Sequence, residues 1–122
     1  MSEKAIQSVA IPVAAIAGTV VHPLWRVPVG DSAYGGISIT GAYLMSSGAA
    51  TSQMQLTVGT ALGTATTGTI GTLNGTMVAN VQQAFTISTA YVDSGKWILI
   101  KTNAGGSLAE TNNVIVEFKW GK

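Results

Sequence analysis

The sequence predicts an all-β domain, an antiparallel β-sandwich, on three observations. Apolar and polar residues alternate with period two in several runs. The runs are short, recur roughly every ten residues and are separated by Gly-, Ser-, Asn- and Asp-containing turns. No window of eleven residues joins a 3.6-residue period to helix caps. At 122 residues the chain has room for one core.

Taken in order, residues 1–18 read as an extended N-terminal arm. Pro12 disfavours helix there, and Ile6, Val9, Ile11, Val13 and Ile16 are large apolar residues in a stretch with little turn signal. Val9, Ile11 and Val13 alternate, as a strand added to a sheet edge does. These five residues are expected to dock on a partner, a neighbouring subunit or another protein. The alternative is that the segment forms the first strand of its own domain. The small residues at Ala15-Ile16-Ala17 resemble a signal-cleavage site, but Glu3 cancels Lys4 and Pro12 interrupts the apolar stretch, so an arm is the better reading.

Residues 19–122 form the sandwich itself. Thr19–Val29 is rich in β-formers, and Pro23 and Pro28 place it at an edge or bend it. Val29–Ser32 and Tyr34–Gly36 mark a loop. Ile37, Ile39, Gly41 and Tyr43 are expected on one strand face. Ser46–Ser52 is a loop. In Gln53–Val58 the residues Met54, Leu56 and Val58 point one way and Gln53, Gln55 and Thr57 the other. Gly-Thr then recurs five times between Gly59 and Thr76; Gly weakens a strand and Thr favours one, so a long loop or irregular hairpin is expected. Its flat, neutral backbone also suits close approach by a neighbouring chain.

Phe85 and Ile87 alternate with Thr86 and Ser88. Asp93-Ser94-Gly95 is a tight turn leading into Trp97–Lys101, a nearly continuous apolar run that reads as a central strand covered on both faces. Asn103–Ser107 is a loop. Asn113–Gly121 closes the chain, with Val114, Val116, Phe118 and Trp120 on one face and Ile115, Glu117 and Lys119 on the other. Many short strands at this spacing indicate a sandwich of jelly-roll type.

Charge narrows the function. Charged residues are 9% of the chain, against about 25% in ordinary soluble domains. Residues 32–92, 61 in a row, carry none. The net charge of +1 gives no reason to expect nucleic acid or an anionic membrane as partner. The longest apolar run, Val9–Gly18, is too short and too broken for a membrane span. A hydrophobic fraction of 47% and mean hydropathy of +0.40 argue against disorder. A surface this poor in charge is weakly protected against self-association, so the chain is expected to bury part of its outside against other chains.

No constellation points to chemistry. Without cysteine and with His22 alone, thiolate and multi-histidine metal sites are excluded within one chain. Gly95-Lys96 lacks the upstream glycine and following Ser/Thr of a phosphate loop. Ser94, Asp93 and His22 hold the atoms of a serine triad, but no Gly-x-Ser-x-Gly elbow surrounds any serine. Nothing sets two of Glu3, Asp31, Asp93, Glu110 and Glu117 at glycosidase spacing. A calcium site at Asp31 or Asp93 is unspecific, and Asn74-Gly75-Thr76 matters as a sequon only in a secreted eukaryotic protein. No enzyme activity, cofactor or metal is expected. Trp25, Trp97 and Trp120 belong to the core or to a subunit interface; exposed, they would instead suit a carbohydrate- or receptor-binding module such as a fibre tip.

Tyr91-Val92-Asp93-Ser94-Gly95-Lys96-Trp97-Ile98-Leu99-Ile100-Lys101 is similar to a hairpin of tumour-necrosis-factor-like jelly rolls. The ending Val114–Gly121 resembles the closing strand of the small jelly-roll head decoration, or cement, proteins of tailed bacteriophages. The resemblance covers residues 84–122 in detail and the rest in composition only. It implies a homotrimer on the outer capsid surface of the virion, bound to the major capsid protein and stabilising the joints between capsomers. That family has no catalytic residues to carry over.

Overall fold

The computed structural model describes residues 5–17, 21–29, 35–48, 50–51, 54–60, 66–73, 76–102 and 107–122. Among them are twelve strands and no helix: β1 (Gln7–Ala17), β2 (Val21–Arg26), β3 (Gly36–Ser46), β4 (Ala50–Thr51), β5 (Met54–Gly59), β6 (Thr66–Leu73), β7 (Thr76–Met77), β8 (Gln83–Ala84), β9 (Thr86–Ile87), β10 (Tyr91–Asp93), β11 (Trp97–Thr102) and β12 (Ser107–Trp120). Glu3 and Lys4, the turn residues 30–34 with Asp31, most of the first half of the Gly-Thr stretch, Asn74 and the loop residues 103–106 lie outside the described residues.

Two antiparallel sheets pack face to face as a β-sandwich. The first runs β1-β12-β3-β10, with β8 also on β3; the second runs β2-β11-β5-β6-β9. A two-stranded ribbon, β4-β7, stands apart. The pairing is nested: the first strand lies on the twelfth, the second on the eleventh and the third on the tenth. Such nesting arises when one long antiparallel hairpin is rolled so that successive strand pairs fall in alternate sheets.

The core follows from the pleat, since alternate side chains of every inner strand reach the space between the sheets. Val13, Ile37, Ile39, Ala42, Leu44, Val92, Val114, Val116 and Phe118 enter from the first sheet. Met54, Leu56, Ile70, Leu73, Ile98 and Ile100 enter from the second. β11 is the covered central strand its composition requires, with Ile98, Leu99 and Ile100 all fully buried between β2 and β5. Prolines fall where a missing N–H is tolerated: Pro23 on the edge strand β2, beside a register shift at Ile98/Leu99.

The extended N-terminal segment is not a projecting arm. Gln7–Ala17 is the edge strand of the first sheet and pairs with β12 from Gln7↔Phe118 to Ala17↔Ser107. β1 itself carries no charged residue, and its ladder forms within the chain. The accessible surface, 6134 Å², matches the roughly 6100 Å² of a compact 12.4-kDa monomer.

A second correction concerns β3. Ile37, Ile39, Gly41 and Tyr43 do not share a face. The register slips by one residue between Glu117 and Phe118, so Gly41 lies opposite Glu117 while Ile39 lies opposite Phe118. Before this bulge Ile37 and Ile39 face inward; after it Ala42 and Leu44 do, and Tyr43 turns outward.

The Gly-Thr stretch is an irregular hairpin, because β5 and β6 pair with two register shifts. Gly71 is required there: a Cβ would sit 2.8 Å from the Thr86 carbonyl oxygen on β9. Residues 83–87 cross between the sheets. β8 joins β3, β9 joins β6, and Phe85 between them is buried, its N–H donating to the Ala42 carbonyl at 2.8 Å. At the Asp93–Lys96 turn the Lys96 N–H donates to the Asp93 carbonyl at 3.2 Å, and Gly95 supplies a φ of +86°.

Candidate functional site

Four of the five arm residues have described side chains, and three of them face this chain's own core. Val13 is 2% exposed, and Val9 and Ile11 are half-buried against the same cluster. Their alternation is the inward face of β1, which is why they looked like docking residues: an edge strand carries the same pattern whichever sheet it joins. Ile6, just outside β1, is exposed at 66%. The Ile16 side chain lies outside the described residues.

The polar groups that could build a catalytic site are spread apart. His22 sits opposite Ile100 on β2, four residues from Arg26 and so about 14 Å along the strand from the end that meets the Ser94 turn. Asp93 lies opposite Gly36 and Glu117 opposite Gly41, about 17 Å apart along β3. Among the described residues no three His, Asp or Glu cluster as metal ligands, and no helix is long and apolar enough to cross a membrane. Two of the three tryptophans serve packing. Phe118 lies 5.2 Å from the Trp25 ring and 6.2 Å, edge to face, from the Trp120 ring.

The outer face of the first sheet divides in two. Its lower half holds the ionisable groups. The Tyr43 hydroxyl donates to Glu117 Oε1 at 3.1 Å. That hydrogen bond, then the Glu117 charge and then burial hold the phenol above the usual tyrosine range. Lys122 Nζ stands 4.9 Å over the Tyr91 ring. In the other half the neighbours given by register are uncharged: Ala10 and Ile115 lie beside Tyr43, and Pro12 and Asn113 beside Met45.

Where β3 and β12 run out of the outer face is a small open cleft of about 170 Å³, lined by Met45, Ser46, Ser47, Asn80, Asn112 and Asn113. Several hydrogen bonds shape it. The Asn80 N–H donates to the Ser46 carbonyl at 2.7 Å, with Asn80 in the left-handed region at φ 61°. The Gly48 N–H donates to Ser46 Oγ at 3.3 Å. Asn112, 1% exposed, donates from Nδ2 to the Val13 carbonyl at 3.2 Å, and its Oδ1 is buried with no partner. Asn112 escaped the sequence reading, although a signal was present: it is the next inward position before Val114, and it is polar.

No family model, curated protein or solved structure matches this chain.

Proposed function

We propose that this chain is a structural protein of a virion, a jelly-roll decoration protein that binds the outer capsid surface as a homotrimer and braces the joints between capsomers. The observation that carries the reading is the nested pairing of β1 with β12, β2 with β11 and β3 with β10, folded into two facing sheets. A hairpin rolled in the jelly-roll manner would pair its strands in this nested way, which supports the reading. The charge-free run from 32 to 92 supports it, since it supplies strands to both sheets and leaves neutral surface for protein contacts. The major capsid protein is the proposed partner, met through apolar burial and neutral hydrogen bonds.

The test joins two measurements. Light scattering of the purified chain should give a mass three times 12.4 kDa. Mass spectrometry of washed particles should find the chain on intact capsids. Retention on particles should change by less than roughly threefold between low and high salt, because few charges exist to be screened. Release by salt alone, or a monomeric mass at micromolar concentration, refutes the reading.

A further inference from the structure

A sheet edge carries a row of backbone N–H and C=O groups that the ladder leaves unused, and the edges of this sandwich are not alike. The first sheet ends on β1 and on β10, the second on β2 and on β9. Three of these edges are blunted. β10 and β9 are three and two residues long, and β10 ends on Asp93. β2 carries Pro23, a register shift beside it and Arg26 at its end. β1 is eleven residues long without a charge, and among the described residues only β12 pairs with it. Its own guards are Pro12 and the register shift between Ala14 and Ile16, and both lie from Pro12 onward. Residues 7–11 have neither.

The chemistry of that open stretch specifies what fits it. In an antiparallel ladder alternate residues turn N–H and C=O away from the partner strand. Residues 7–11 therefore offer outward donors and acceptors two residues, or about 7 Å, apart. An extended backbone presents the complementary groups at the same spacing. Side chains add a second requirement. Val13 is 2% exposed, but Val9 and Ile11, earlier on the same inward face, lie against the core and stay half-buried. A strand laid beside them would complete their cover if its own inward side chains were apolar. Ser8 and Ala10, on the outward face, are small and exposed and set no such demand. Ile6, at the entry to the strand, is the most exposed of the large apolar side chains among the described residues, at 66%.

We infer that residues 7–11 are a strand-addition site for an extended segment of a partner protein with apolar side chains at every second position. Size selects a segment over a second folded copy. The open stretch is about 16 Å long, which suits a short peptide, whereas two folded proteins need about 800 Å² on each side for a stable pair. The inference goes beyond the capsid reading and does not depend on the trimer.

The experiment titrates the full chain with a short capped, fluorescently labelled peptide alternating Val with Thr, followed by fluorescence anisotropy and hydrogen exchange. The peptide should bind and slow exchange at those amides of 7–11 that face away from β12, while β2 is unchanged. The same peptide N-methylated at two alternate residues loses two ladder hydrogen bonds and should bind about tenfold more weakly or worse. A peptide of the same composition with its valines grouped should also bind more weakly. Val9→Lys, which points a charge inward at the edge, should abolish binding and keep the wild-type circular dichroism spectrum. Equal binding of the N-methylated peptide overturns the inference whether or not Val9→Lys folds, and so does protection that falls outside 7–11. Self-association of the wild type that protects 7–11 without peptide assigns the edge to a second copy and overturns it too. A monomeric wild type that binds the peptide as expected refutes the trimer and leaves the inference standing.

Discussion

Phe118 and Glu117 are neighbours in sequence and lie on opposite faces of β12, so truncating each in turn tests both register and packing. Phe118 is 5% exposed and touches Trp25 and Trp120. Phe118→Ala removes a buried ring and leaves a cavity, which costs about 3–5 kcal/mol. For a chain of 122 residues the midpoint moves by about 4 °C per kcal/mol, so thermal unfolding should come about 12–20 °C earlier. Glu117→Ala loses one hydrogen bond to Tyr43 on the outer face and should cost about 1 kcal/mol or less. The assay is thermal and urea unfolding at one fixed protein concentration, because assembly makes the midpoint concentration-dependent. Tryptophan emission serves as the probe, since Trp25 and Trp120 both pack on the deleted ring. Equal losses from the two variants, or a Phe118→Ala cost below about 1 kcal/mol, would refute the bulged register between β3 and β12.

Deleting residues 2–17 should abolish folding, because it strips the partner strand from β12 and removes the buried Val13; circular dichroism would show the loss of sheet, and a folded truncation would mean that β1 is dispensable to its own domain. Tyr43 should ionise above the ordinary tyrosine range. Its folded pKa lies above the ordinary 10.0, so between pH 10.0 and that raised value the unfolded chain loses a proton that the folded chain keeps. Stability therefore falls as pH rises through that window, and absorbance titration of Tyr43→Phe and Glu117→Gln should show the late transition lost in the first and moved earlier in the second. Gly71→Ala should cost about 1–3 kcal/mol in urea unfolding by pushing β9 away from β6, since the new methyl would meet the backbone at Thr86; an unchanged midpoint would mean that β9 is loosely held.

What the sequence displayed was the buried face of the regular strands, and what it withheld was each strand's partner. The alternation of Val114, Val116 and Phe118 marked one buried side of β12, and the run Trp97–Lys101 marked a central strand; both are local patterns set by the pleat. Whether Val9, Ile11 and Val13 paired inside the chain or outside it was not local. The register Gln7↔Phe118 joins nearly the two ends of the chain, and no short window carries that choice. The bulge in β3 was hidden for a related reason. Thr40 is as good a β-former as its neighbours, and only the ladder with β12 shows that it is the extra residue.

Asn112 shows the remaining limit. On an inward face otherwise built of Val, Val and Phe, an amide weakens the core unless both its ends are used. One end ties β12 to the edge strand β1 through the Val13 carbonyl. The other opens no bond within the chain. Leu or Val there would take the Nδ2 donor away from the Val13 carbonyl, a loss that costs stability because only one partner of the bond is removed. Asn112 therefore stays polar on an apolar face because it fastens the edge strand β1 to β12, a role set by a partner 99 residues away and so invisible in any local window.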